Sequence, residues 1–276
     1  ANHRIQVFSS SGDWIRSWGK KGGSPGKFYN PSDIALDNEG NIYVADTNNH
    51  RIQKFSGNGD SITCWNISSK NYARLARPTG ISIDEDGIIY VTDIANYRIL
   101  KYSSDGMLIS QWGEQGTLGG HLMVPFGIAA KNGYVLVTDF STSCVKIYDT
   151  KGQFISYWGT DGPKEGNLHE PEGITADSNG NIYVADRGNN RIQKFNLQGQ
   201  LLSRWVMNVD IILEGPADMF VQDDGHILVS DTGNNRIVKM KEEIVAEDVT
   251  SLDEKYTRFS RSVDDWWNTT WENIVT

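Results

Sequence analysis

With only two cysteines, Cys64 and Cys144, the 276-residue chain cannot rest on a disulfide framework. The two stand in different repeats of the pattern set out below, so a bridge between them is not expected. Proline is scarce, at 7 residues against 28 glycines, a balance that suits many tight turns between short strands. No apolar run approaches the roughly 18–20 residues of a membrane-spanning helix. The first residues carry none of the marks of a signal peptide. Positive charge is in deficit, with 26 Lys and Arg against 35 Asp and Glu and a net charge of −9. That sign argues against a phosphate-backbone partner, so nucleic acid is not expected. Lys20, Lys21 and Lys27 share a glycine-rich loop and read as solvated surface. Metal spacings are missing too: there is no His-x-His, His-Glu-x-x-His or Cys-x-x-Cys. No cofactor is expected.

What is present is a repeat. Asn41–Phe55 alternates apolar and polar residues on both sides of a polar turn, which reads as two strands of a hairpin. The segment recurs at Ile88–Tyr102, Tyr134–Tyr148, Asn181–Phe195 and His226–Met240, and its second half opens the chain at Asn2–Phe8. Three rulers give one period. Asp46, Asp93, Asp139, Asp186 and Asp231 step by 47, 46, 47 and 45 residues. Trp18, Trp65, Trp112, Trp158 and Trp205 step by 47, 47, 46 and 47. Pro31, Pro78, Pro125, Pro171 and Pro216 each open the next unit. Each unit reads as four short antiparallel strands, and units of that kind stack radially into a β-propeller.

The pattern Pro-x-Gly-Ile…Gly-Asn-Ile-Tyr-Val-Ala-Asp-x-x-Asn-x-Arg-Ile-Gln-x-Phe…Trp-Gly resembles the NHL repeat. The Asn-His pair of that motif stands here as Asn2-His3 and Asn49-His50, followed by Arg4 and Arg51. The resemblance covers residues 1 to about 241 and implies an all-β propeller of four-stranded antiparallel blades, usually six. It also implies a wide range of function: protein docking, RNA binding in some members and lyase chemistry in a few. Third-strand signatures number six, at Arg4, Arg51, Arg98, Cys144, Arg191 and Arg236, but opening pairs number five. The expectation is six blades with an incomplete first one, completed by residues upstream of Ala1, by another chain or by a strand from the tail. The domains are then a propeller over 1–241 and an extension over 242–276. In the extension, Val263, Trp266, Trp267, Thr270, Trp271 and Ile274 fall on one face of an expected amphipathic helix.

Residues shared by nearly every unit read as scaffold. Asp and Arg five residues apart across the second hairpin are of that kind (Asp46 with Arg51, and their counterparts). In the third unit Cys144 replaces the Arg. Binding is expected where units differ, at the residue after the repeated Asp (Thr47, Ile94, Phe140, Arg187, Thr232) and after the Pro (Ser32, Thr79, Phe126, Glu172, Ala217). Tyr97, Phe126, Phe140 and Arg187 have the composition of an interface hot spot, and they join Trp266, Trp267 and Trp271 of the tail as binding candidates. The bland alternative is aromatic packing between blades. Asn66 and Asn268 match the N-glycosylation pattern and tilt localisation slightly toward the extracellular side. The function expected is a non-enzymatic scaffold that binds protein or copies of itself. A metal-dependent lyase or hydrolase at the channel mouth, and carbohydrate or small-ligand binding in the channel, stand as alternatives.

Overall fold

In the computed structural model, residues 2–65, 75–205, 212–222, 224–241 and 273–275 are described. The fold is an all-β propeller of antiparallel blades. The chain divides into two compact units with their boundary between Ala130 and Lys131, inside the opening strand of the third blade.

Four blades have four strands each. The first runs Pro31–Leu36, Ile42–Asp46, Arg51–Phe55, Ser61–Trp65. The second runs Pro78–Ile83, Ile89–Asp93, Arg98–Tyr102, Leu108–Trp112. The third is Pro125–Lys131, Tyr134–Asp139, Cys144–Asp149, Phe154–Trp158. The fourth is Pro171–Ala176, Ile182–Asp186, Arg191–Phe195, Leu201–Trp205. The fifth has three described strands, Pro216–Val221, His226–Asp231 and Arg236–Lys241.

A sixth, N-terminal sheet joins Ile5–Phe8 and Trp14–Trp18 to Asn273–Val275. Two sequence expectations change here. Five sheets carry the opening pair of strands, so the blade count is five where six was expected. The end of the expected tail helix is a strand instead, with Ile274 opposite Val7 and Asn273 opposite Phe8. An edge with unpaired backbone groups is satisfied by a strand and not by a helix, which overrides the helical spacing of the side chains. Trp266, Trp267, Trp271, Asn66 and Asn268 lie outside the described residues.

Register repeats as faithfully as sequence. The opening Pro pairs with the closing Asp of the second strand in blades one, two, four and five (Pro31 with Asp46, Pro78 with Asp93, Pro171 with Asp186, Pro216 with Asp231). The aliphatic residue after the Arg faces the closing Trp, as in Ile52 with Trp65, Ile99 with Trp112 and Ile192 with Trp205. All five residues of Ile42–Asp46, Ile89–Asp93 and Ile182–Asp186 are buried. These second strands are covered on both faces, which explains their near-continuous apolar run. One core, for example, combines Tyr43, Ala45, Ile52 and Trp65 of the first blade with Ile81, Ile89, Val91 and Leu100 of the second. Each such fully buried aliphatic is worth about 1.5–3 kcal/mol. The closing Trp also reaches into the next sheet. It lies over the glycine of the turn between strands three and four, where an added Cβ at Gly59 would stand 2.9 Å from Trp18 and one at Gly106 2.8 Å from Trp65.

Candidate functional site

The repeated aspartate is the frame on which every loop is hung. Asp46 is fully buried and accepts hydrogen bonds from the Tyr29 amide (2.7 Å), Asn49 Nδ2 (2.8 Å), Arg51 Nε (2.8 Å) and Gln53 Nε2 (3.0 Å). Arg51 in turn donates to the carbonyls of Gly23, Ser24 and Lys27. One carboxylate therefore ties together the inter-blade loop, the 3-10 turn Thr47–Asn49 and the third strand. The fourth blade repeats the arrangement: Asp186 receives the His169 amide, Asn189, Arg191 and Gln193, and Arg191 holds the carbonyls of Pro163, Lys164 and Asn167. Each charge is matched and hydrogen-bonded locally, as a buried ion pair must be. Asp and Arg are scaffold.

The third blade solves the same problem differently. Cys144 stands where Arg does elsewhere, and the ammonium of Lys146, two residues on, lies 3.2 Å from Asp139 with both side chains buried. Lys146 occupies the register position of Gln53 and Gln193. Sequence reasoning noticed the lost Arg and missed the Lys that replaces its charge. The signal was a cation two residues later in a strand, on the same face. Cys144 is buried, burial pushes its thiol pKa up, and Thr142 Oγ1 lies 3.2 Å from the sulfur. Both cysteines are free.

On this constant frame sit the variable positions. Because the opening Pro pairs with the closing Asp, the residues that follow them meet at the rim of the blade. In the first blade Thr47 Oγ1 donates to Ser32 Oγ at 2.6 Å. In the fourth, Arg187 reaches Glu172 at 3.2 Å. Tyr97, Phe126, Phe140 and Arg187 are all half-buried. Tyr97 ends the 3-10 turn Ile94–Asn96 in the left-handed region, at φ 55°, a conformation that a bulky side chain enters only under tertiary constraint. The Phe126 carbonyl accepts from Thr92 Oγ1 at 2.7 Å. Tyr97 and Phe126 belong to one compact unit, Phe140 and Arg187 to the other.

Around Arg187 the electrostatics are unusual. Burial pushes the carboxyl of Glu172 up to about 7, with Arg187 opposing the shift and Asp218 and Glu170 adding to it. Asp218 is pushed up to about 6, again by burial, while the amide of Met219 pulls the other way. Asp218 leans over the neighbouring strand, where a Cβ on Gly173 would collide with its Oδ1 and with the Ala217 carbonyl. The signal for Asp218 was in the sequence: it fills the position held by Gly80, Gly127 and Gly173 in the second, third and fourth blades. Glu172 and Asp218 are thus two carboxyls of raised pKa, and the Arg187 guanidinium lies beside the first of them.

The histidines are occupied on separate loops. His169 Nδ1 lies 2.8 Å from Asp161, and that hydrogen bond raises the His169 pKa and lowers that of Asp161. His121 pairs with Glu114, His226 with Asp224, and His3 Nδ1 accepts the Asn30 amide. Among the described residues no three His, Cys, Asp or Glu side chains cluster as metal ligands would. No helix among them is long and apolar enough to cross a membrane.

Comparison with known proteins agrees with this geometry. The NHL repeat family model matches residues 28–55, 75–102 and 168–195, which fall in the first, second and fourth blades. No curated protein matches the sequence. Among solved structures, a protein of unknown function from Bacteroides caccae is 16% identical with a TM-score of 0.63, over 87% of this chain and 90% of that one. The structure of a nidogen/laminin complex matches at 19% identity and 0.64, over 87% and 89%. A streptogramin B lyase matches at 16% and 0.60, over 88% and 77%. Identities this low speak for the fold alone. The fold is a β-propeller, and three of its blades, which share one hydrogen-bonded frame and one register, carry matched NHL repeats.

Proposed function

We propose that the chain is a non-catalytic propeller that binds protein through the variable residues of its blade rims. Tyr97, Phe126, Phe140 and Arg187 are the contact residues of this reading. Trp266, Trp267 and Trp271 form a second contact surface, for a partner or for another copy of the chain. The observation that carries it is the division of labour within each blade: the Asp-centred frame holds the loop, and the two positions beside it vary from Ser32–Thr47 to Glu172–Arg187. A residue freed from holding the loop is free to be chosen by what it touches. The fold of the nidogen/laminin structure supports protein binding by analogy.

The test compares the native chain with Phe140→Ala/Arg187→Ala and Tyr97→Ala/Phe126→Ala as affinity baits in extract from the source cells. The expected result is one protein retained by the native chain and lost from a variant whose melting temperature is unchanged. Equal capture by all three baits would refute the assignment of these residues. For the tail, light scattering over a concentration series reads whether removal of residues 262–276 changes the assembly state, and an unchanged monomer ends the self-assembly version.

A second reading, small polar ligand or carbohydrate binding, draws on the pair Glu172 and Asp218, whose protons are exchangeable near pH 6–7. A thermal-shift screen repeated at pH 5.5 and 8 tests it. A ligand whose effect is the same at both values does not bind there.

A further inference from the structure

A β-sheet ends safely in solvent only when its last strand is unfit to pair again, because it is charged, bulged or covered. Among the described residues the closing strands stand at the edges of their sheets, and they meet that requirement unequally. Trp14–Trp18 carries Arg16, and Leu201–Trp205 carries Arg204, which pairs with Glu165. In Leu108–Trp112 the side chain of Gln111 is held by Arg98 Nη1 at 2.7 Å. In Ser61–Trp65 Ile62 is the one large apolar residue left exposed. Phe154–Trp158 of the third blade differs. Its sequence Phe-Ile-Ser-Tyr-Trp has no charge, and Phe154, Ile155 and Tyr157 are 39%, 48% and 57% exposed. No other closing strand exposes three large apolar side chains. The bulge near the start of each of these strands is common to them all, so composition is what sets this edge apart.

The two ends of the strand say what fits it. Lys151 stands five residues before the midpoint, Ser156, and Asp161 five residues after it. Both are exposed. Asp161 uses Oδ1 for Ser143 Oγ (3.0 Å) and His169 Nδ1 (2.8 Å), and its side chain remains 68% exposed. A second copy laid antiparallel across a two-fold axis at Ser156 therefore sets Lys151 of each chain beside Asp161 of the other. The same operation sets Phe154 beside Trp158 and Ile155 beside Tyr157. Applied to the other closing strands it gives nothing comparable. In Trp14–Trp18 it sets Arg16 against Arg16, and in Leu108–Trp112 it sets Asp105 against Gln115. In Ser61–Trp65 and Leu201–Trp205 the two flanking positions are uncharged.

We propose that the outer edge of Phe154–Trp158 pairs with the same strand of a second copy of this chain, so that two third blades form one continuous antiparallel sheet. An interface of this kind is self-complementary by symmetry, and opposite charges at its ends fix the register that the apolar middle alone would leave free to slip. All the residues involved belong to the compact unit Lys131–Arg261. The pairing uses none of the rim residues or tail tryptophans of the proposed function, and it stands or falls separately from them.

Sedimentation velocity on the full chain over a concentration series is expected to show a monomer giving way to a dimer. Tyr157→Lys puts a charge on the edge and should abolish the dimer with the melting temperature unchanged. Charge exchange reads the register. Lys151→Asp has acidic ends only and Asp161→Lys basic ends only, so each alone should dimerise about tenfold more weakly. An equal mixture of the two restores both opposite pairs and should associate as the native chain does. A native chain that stays monomeric throughout overturns the proposal, and so does a dimer that Tyr157→Lys leaves intact. A mixture no tighter than either variant overturns the two-fold register. If Asp161→Lys, which also gives up the bonds to Ser143 and His169, does not fold, weakening by Lys151→Asp and by added salt decides instead. Removal of residues 262–276 should leave this dimer in place; a dimer lost with the tail and kept in Tyr157→Lys belongs to the tail and overturns the proposal.

Discussion

The buried pair Lys146–Asp139 gives the sharpest energetic test of the scaffold. Lys146→Met keeps the length and most of the volume of the side chain and removes only its ammonium. Asp139 is fully buried and Lys146 is 1% exposed, with 3.2 Å between their charged atoms. The substitution leaves a carboxylate in the interior without its cation, and breaking a buried pair from one side costs about 3–5 kcal/mol. At about 2–4 °C per kcal/mol for a chain this large, the melting temperature should fall by roughly 10 °C. Urea unfolding followed by circular dichroism measures the same loss isothermally. The second half of the test is rescue. Cys144→Arg with Lys146→Gln rebuilds the Arg and Gln that the first and fourth blades carry at these positions, and it should recover most of the loss. A cost below about 1 kcal/mol for Lys146→Met would mean that the pair is not what holds this hairpin. A rescue no better than the single variant would show that the two solutions are not equivalent.

Glu172→Gln should show the opposite sign and a pH dependence. The folded-state pKa of Glu172 is raised from 4.5 to about 7, so between those values the folded chain binds a proton that the unfolded chain has released, and stability falls as pH rises through that window. The variant should therefore be more stable than the native chain by about 2–3 kcal/mol at pH 8 and equal to it near pH 4.5; a constant difference across that range would count against the burial of Glu172. Gly173→Ala drives a methyl group into Asp218 Oδ1 and the Ala217 carbonyl, so a loss of about 1–3 kcal/mol is expected in the same unfolding assay. Loss of that penalty in Gly173→Ala/Asp218→Gly would trace it to the side chain. Iodoacetamide at pH 8 should alkylate Cys64, which is half-exposed, and spare Cys144 until the chain is denatured. Two modified thiols in the native protein would contradict the packing of the third blade.

Most of the fold was legible because the repeat states its own rule five times. The Asp, Trp and Pro series fall on the second strand, the fourth strand and the opening residue of successive blades, and strand order follows from them. At the end of the tail the expected helix gave way to the other expectation, a tail strand that joins the N-terminal sheet, while residues 242–272 lie outside the described ones. Val263 to Ile274 has the spacing of a helix face, yet Asn273–Val275 pairs with Ile5–Phe8, because a free backbone edge is a stronger demand than a side-chain stripe. The rim positions were legible as places where units differ. Which of them would meet was not, since that depends on the register between Pro171 and Asp186, and a bulge shifts that register one residue later. Lys146 escaped because its cation lies two residues from the place being compared. Asp218 escaped because a Gly-to-Asp change reads as a turn residue until the neighbouring Gly173 shows the space it occupies.

Departures from the repeat fall into two physical kinds, and the difference decides which ones point outward. In the third blade the lost Arg is answered within the same strand by Lys146, so the hairpin keeps its charge balance and nothing further is needed from elsewhere. In the fifth blade no fourth strand is present among the described residues, where Ile237 is 40% exposed and the Arg236 side chain 44%. The fourth blade adds an intermediate case. Glu172 is answered by Arg187, but with a carboxyl that stays half-protonated near neutrality and with Asp218 crowding the same space. The first blade meets the same two positions with the neutral pair Ser32 and Thr47, which carries no comparable burial of charge. Under the second reading of the proposed function, a cation or donor bound between Glu172 and Asp218 would offset the cost of burying the two carboxyls, and a ligand that stabilises the chain more at pH 8 than at pH 5.5 is the expected result.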